Sequence, residues 1–112
     1  VKDGIPAYTY NFLGIDAYTV TATAALSEGN HEIRFDFAYD GGGKGKGGDG
    51  KLYVDGKQVA SGRIERTQPL VFSADETADV GIDLATAVVK EIGAEAKSRF
   101  TGSVQSVTVE LK

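Results

Sequence analysis

The side chains able to carry chemistry are few and lie far apart in the chain. His31 is the single histidine. A nucleophilic triad or a metal site needs such a residue beside a nucleophile or further ligands. It follows the turn cluster Ser27-Glu28-Gly29-Asn30 and opens an alternating segment, a position that reads as an exposed or hydrogen-bonded structural histidine. Cysteine is absent, which removes disulfides, thiolate zinc sites and a cysteine nucleophile together. Asp75, Glu76, Asp79 and Asp83 make the densest acidic stretch. Calcium takes several hard oxygens, so Asp75, Asp79 and Asp83 are the candidate metal ligands. Their spacing is not that of an EF-hand, and a solvated acidic loop is the plainer reading. A paired-carboxylate glycosidase needs a deep cleft, and a short β chain with a glycine loop offers no evident one.

The second feature is the run Asp40-Gly41-Gly42-Gly43-Lys44-Gly45-Lys46-Gly47-Gly48-Asp49-Gly50, which matches Gly-x-Gly-x-x-Gly at Gly43/Gly45/Gly48 and again at Gly45/Gly47/Gly50. A dinucleotide site requires that motif to leave a strand and open a helix, whose N-terminus holds the pyrophosphate. Here strand-like residues follow, and no Gly-Lys is followed by Ser or Thr as a P-loop demands. The run is expected to be a loop, too rich in glycine for a helix or a ladder. Gly43, Lys44, Lys46 and Asp49 are its candidate interface residues.

Such residues must be positioned by strands. The 112 residues are enough for one domain, and with 41% apolar and 25% charged residues the chain is no disordered tail. The 15 glycines are roughly double the usual share, and β-branched and aromatic residues dominate most windows. Alternation marks strands at Tyr8–Phe12 and Tyr18–Ala22, and most clearly at Ile33, Phe35, Phe37 and Tyr39, whose shared face is expected to be core. Most of the tyrosines and Phe12 fall in phase with that alternation, so core packing is the first reading and a sugar-stacking platform the second. Asp55-Gly56 between Leu52-Tyr53-Val54 and Lys57-Gln58-Val59 predicts a type I′ hairpin with Leu52 facing Val59. Further strands are expected at Leu70–Phe72, begun by Pro69, and at Val107–Leu111, with a bulge or bend after the out-of-phase Val104. Leu84, Val88 and Ile92 recur every four residues ahead of Gly93, which fits either a short helix over 84–92 or an irregular crossover. The fold expected is a single all-β domain over 1–112, an antiparallel β-sandwich of jelly-roll type.

Charge and hydropathy exclude some classes. The net charge of -4 and the lack of a basic stripe argue against nucleic acid as a partner. No apolar run approaches the ~20 residues of a spanning helix, so no membrane insertion is expected. The opening Val1-Lys2-Asp3 suggests a piece of something longer.

Taken in order, several fragments resemble one family. They are Tyr10-Asn11-Phe12-Leu13-Gly14, Tyr18-Thr19-Val20, Phe35 through Phe37-Ala38-Tyr39-Asp40-Gly41-Gly42-Gly43, and Gly45-Lys46-Gly47-Gly48. Leu52-Tyr53-Val54-Asp55-Gly56-Lys57, Gly62-Arg63-Ile64-Glu65, Phe72-Ser73-Ala74-Asp75-Glu76-Thr77 and Asp79-Val80-Gly81 continue the series. Over about residues 8–83 this order resembles the C-terminal region of bacterial arylsulfatases of the alkaline-phosphatase-like sulfatase superfamily. The resemblance implies a non-catalytic accessory domain whose partner is the catalytic domain of the same polypeptide, N-terminal to it. That catalytic domain would carry the formylglycine of a Cys/Ser-x-Pro-x-Arg motif and a divalent metal. Neither Pro6 nor Pro69 stands in such a motif, so no catalytic residue is carried over and no cofactor is expected in this chain. A periplasmic or secreted location goes with the resemblance. The chain departs from the family at Leu84-Ala85-Thr86-Ala87-Val88, where Thr-Gly-Thr-Pro-Val is usual, and at Lys44, where an apolar residue is common. The competing expectation is a lectin-like module that binds a glycan, with calcium as its conceivable cofactor.

Overall fold

The computed structural model describes residues 1–69 and 78–111. The chain divides into two units, Val1–Ser73 and Ala74–Lys112. The first contains two antiparallel sheets, in keeping with an all-β fold.

Strands β1 (Ala7–Phe12) and β2 (Asp16–Thr21) form a hairpin in which Tyr8 faces Val20 and Tyr10 faces Tyr18. Its tight connection places Leu13 and Gly14 at positive φ, and the Asn11 side chain accepts the Gly14 N–H at 2.7 Å. Strands β3 (Ile33–Tyr39), β4 (Gly48–Val54) and β5 (Lys57–Ile64) form the second sheet, in that order. The Asp55-Gly56 turn forms with φ of 50° and 81°, as its residue types require. Leu52 pairs with Ala60 rather than Val59, because the register slips at Leu52/Tyr53 and leaves Val59 as the extra residue of a β-bulge.

The glycine run is not wholly a loop. Gly48 and Gly50 lie inside β4, opposite Tyr39 and Phe37. A Cβ on Gly48 would fall 2.6 Å from the Phe37 ring, and one on Gly50 2.6 Å from the Phe35 ring. Each ring leans along its strand and occupies the space that a side chain of β4 would have filled. A ladder therefore tolerates these glycines because aromatic neighbours cover them, as in aromatic rescue of strand glycines.

The buried apolar residues of this unit are Val20, Ala22, Leu52 and Ile64, and Ile5, Phe35, Val59 and Ala60 pack around them. The short hairpin lies over β4 and β5, with Val20 against Gly62. Its Tyr8 reaches β3, the ring stacking on Phe35 with centroids 3.5 Å apart. The expected core face of β3 is thus only partly core. Phe35 is half-buried, whereas Ile33, Phe37 and Tyr39 are 43%, 40% and 45% exposed. On the opposite face of the sheet, charges and rings alternate: Arg34 stacks over Tyr53 at 4.1 Å and pairs with Asp36 at 3.2 Å.

In the second unit, residues 84–92 form no helix; Ala85 sits at φ 60° and a single turn closes from Val89 to Ile92 and Gly93. One 3₁₀ turn follows at Glu95–Ser98. The apolar spacing of Leu84, Val88 and Ile92 therefore does not become a helical stripe, and the first two remain exposed. The segment 103–111 joins no ladder among the described residues, contrary to the strand expected there. The strand expected at Leu70–Phe72 falls outside the described residues. No helix among the described residues is long and apolar enough to cross a membrane.

Two substitutions test this packing. Gly48→Ala forces a methyl into the Phe37 ring and the adjoining β3 backbone and is expected to cost about 1–3 kcal/mol in denaturant melts. Leu52→Ala, at a side chain 1% exposed, is expected to cost about 2–5 kcal/mol. Phe37→Ala is expected to cost clearly less than Leu52→Ala; equal losses would show that the Phe37 face is core after all.

Candidate functional site

Tyr39 organises the glycine loop. Its hydroxyl donates to the Gly43 carbonyl and accepts the Lys46 backbone N–H at 3.1 Å. Asp40 N–H reaches the Gly47 carbonyl at 3.0 Å, closing the loop at its base. The segment after β5 straps it from outside: the Thr67 hydroxyl donates to the Lys46 carbonyl at 2.8 Å, and Pro69 lies against Gly45. Of the interface residues expected from sequence, Gly43 and Lys46 meet at Tyr39 through their backbones. Lys44 is exposed at the loop. Asp49 belongs elsewhere, as a β4 residue opposite Arg63 that accepts its guanidinium at 3.2 Å. Arg63 also forks onto Asp40, which holds the Asp40 carboxyl below its usual range and raises Arg63. A loop that leads into β4 instead of a helix lacks the N-terminal amides of a dinucleotide site.

The aromatic residues are also engaged locally. The Tyr10 hydroxyl accepts the Gln68 N–H at 2.8 Å, and Arg66 lies 4.4 Å over the Phe12 ring while pairing with Asp16 at 2.5 Å. Burial, followed by the neighbouring Tyr10, pushes the Tyr8 hydroxyl up. The tyrosines of β1 and β2 therefore pack within the first unit, as their phase suggested.

In the second unit, Asp79 accepts the Leu84 N–H at 3.1 Å and Asp83 accepts the Val88 N–H at 2.8 Å. The Ser98 hydroxyl donates to the Asp83 carbonyl at 3.1 Å and accepts the Asp83 N–H at 2.8 Å. These carboxylates act as caps of an irregular segment, the local competition typical of aspartate. No group of three or more His, Cys, Asp or Glu positioned to hold a metal occurs among the described residues. Asp75 lies outside them.

The tightest polar constellation surrounds His31, in keeping with a hydrogen-bonded structural histidine. His31 Nδ1 donates to Asp55 Oδ2 at 2.7 Å, while its Nε2 lies 2.8 Å from the Ser27 carbonyl and 3.3 Å from the Ser27 hydroxyl. Asp55 also accepts the Glu32 N–H at 2.9 Å and returns its own N–H to the Glu32 carbonyl at 2.8 Å. The residue types are those of a serine triad, but the roles are not. A triad base must present a lone pair on Nε2 to the hydroxyl, whereas here the shorter bond runs to a carbonyl and can form only if Nε2 carries a proton. The signal was available in pairing logic: Ile33 opposite Val54 brings residue 31 beside the Asp55-Gly56 turn.

Comparison with known proteins adds no identification, since no family model, curated protein or solved structure matches the chain.

With both ring nitrogens facing acceptors, His31 holds its proton tightly: the Asp55 hydrogen bond, then the Ser27 carbonyl, raise it above its ordinary value near 6.5. Asp55 is lowered, first by His31 and then by the Glu32 N–H. A raised histidine stabilises the fold fully below its unfolded pKa, and that contribution is lost as pH rises through the folded value. A lowered aspartate contributes above its unfolded value near 3.8 and loses the effect as pH falls through the folded one. The pair is therefore most stabilising between those two ordinary values. Melting temperature should fall on the alkaline side of that window, and His31→Gln should remove that limb. A His31 ring titrating by NMR at or below its ordinary value would refute the clamp.

Proposed function

We propose that the chain is a non-catalytic C-terminal accessory domain of an arylsulfatase-like sulfuric ester hydrolase, a β-sandwich of jelly-roll type that packs on or flanks the catalytic domain. The observation that carries the reading is the use made of the residues behind the resemblance. Phe35 and Phe37 cover Gly50 and Gly48, Tyr39 fastens Gly43 and Lys46, Asp55-Gly56 turns the hairpin, and Arg63 bridges Asp40 and Asp49. These fragments do the work of a scaffold, and their shared order follows from the contacts each must make with the next. A domain whose motif is spent on its own architecture suits an accessory role, with catalysis supplied elsewhere in the parent polypeptide. The exposed apolar residues Ile33 and Phe37 on β3 offer surface for the catalytic domain to cover. A periplasmic or secreted parent is the corresponding location.

Two measurements test this. The reading frame upstream should encode a Cys/Ser-x-Pro-x-Arg motif; a frame without one would overturn the assignment. The purified chain should not turn over aryl sulfates, and activity that survives repurification would do the same. The lectin-like alternative makes a different demand. A calcium site on Asp75, Asp79 and Asp83 should stabilise the fold by about 2.7 kcal/mol at a hundredfold excess of ion over Kd. The accessory reading expects identical melting in calcium and in chelator, and a rise removed by Asp79→Asn would favour the lectin.

A further inference from the structure

The chain carries four arginines, and the three in the first unit are each engaged by a carboxylate. Arg34 pairs with Asp36, Arg63 with Asp40 and Asp49, and Arg66 with Asp16. Arg99, in the second unit, is exposed and pairs with no carboxylate among the described residues. In a chain of net charge -4 such a guanidinium is the exception. Asp79 and Asp83 of the same unit accept the Leu84 and Val88 amides.

Arg99 borders a hollow of about 280 Å³ whose lining falls wholly within the second unit. Two segments frame it, 80–82 and 99–104, and hydrogen bonds hold them together. The Phe100 N–H donates to the Gly81 carbonyl at 2.7 Å. Beside that bond, Ser98 and Asp83 exchange hydrogen bonds at 2.8 and 3.1 Å. Val80, Phe100 and Val104 also line the hollow and are 60%, 40% and 47% exposed, so apolar surface is open to an occupant. Two glycines keep the space clear. A Cβ on Gly102 would fall 2.7 Å from the Phe100 ring, and Gly81 stands at φ 79° with nothing where a side chain would be.

We infer that this hollow binds a small carboxylate that carries one apolar ring or branched chain. A guanidinium is a planar fork of donors whose geometry matches the two oxygens of a carboxylate. The apolar residues beside it give the body of the ligand a surface on which to leave water. An inorganic anion would use the fork alone and a neutral ring the wall alone; an amphiphilic anion uses both. A cation would meet Arg99 at close range and is opposed by it. Size is limited as well. Ligand clefts begin at roughly 300 Å³, so a hollow of about 280 Å³ suits a single ring or its equivalent rather than an oligomer.

Titration of the whole isotope-labelled chain with benzoate, followed by NMR of the amides and the Arg99 Nε–H, tests the site. Saturable shifts are expected at Gly81, Phe100, Gly102 and Arg99, with a Kd on the order of 1 mM for so small a ligand. Benzyl alcohol lacks the anion and acetate lacks the ring; each should bind at least about tenfold more weakly. Arg99→Gln should raise the benzoate Kd at least about tenfold and leave the spectrum of the first unit unchanged. Arg99→Lys should recover only part of that loss, because an ammonium has no fork. The absence of saturable shifts at these positions overturns the inference, as does benzoate binding that Arg99→Gln leaves intact. Acetate or benzyl alcohol binding as tightly as benzoate overturns the ligand class.

Discussion

The seating of aromatic rings over glycines at the β3–β4 pair is the interaction on which the first unit depends. A glycine inside a strand loses packing and adds entropy to the unfolded chain. At Gly48 and Gly50 both penalties are offset by the Phe37 and Phe35 rings, which lie where side chains would have been. The Phe35 ring is also stacked by Tyr8 at an interplanar angle of 6°. That stack ties the two-stranded hairpin to the edge of the larger sheet. Gly62 repeats the device on β5, where Val20 occupies the vacated space. Close approach of the two sheets, and hence the small core around Leu52, follows from where side chains are missing.

A core this small leaves other contacts to determine the loops. Each end of the β3–β4 pair is closed by a polar clamp. At one end Asp55 engages both the His31 ring and the Glu32 backbone. At the other, the Tyr39 hydroxyl gathers Gly43 and Lys46 while Arg63 joins Asp40 to Asp49. Exposed ion pairs of this sort contribute little singly. Their value here lies in fixing where strands stop, which a glycine-rich connection cannot do by its own conformational preference.

Period-two alternation and turn chemistry were sufficient to read the strands of the first unit and the Asp55-Gly56 hairpin. They failed at three kinds of place. Val59 is bulged, and a bulge is a property of the pairing rather than of either strand alone. Gly48 and Gly50 were read as loop because their partners in space, Phe37 and Phe35, lie far away in sequence and only register reveals the cover. Phe37 was read as core because alternation identifies the face of a strand but not how far the opposing layer extends. His31 has the hydrogen-bonded structural role its position suggested, but Asp55 was not legible as its partner, because it comes beside His31 only after β3 and β4 are paired. The four-residue spacing of Leu84, Val88 and Ile92 fitted either a helix or an irregular segment, and the irregular one forms, with Asp79 and Asp83 offering side-chain acceptors to the amides of Leu84 and Val88.

The contrast between Ile64 and Ile33 shows how unevenly the larger sheet is covered. Both residues belong to the same face of one sheet. Ile64, on β5, is 1% exposed because the hairpin lies over that side, and Ile33, on β3, is 43% exposed because the hairpin ends at Phe35. Arg34 and Asp36 mark the polar face of β3 and pair with each other at 3.2 Å, so the charges of this strand are spent on the side away from its exposed apolar row.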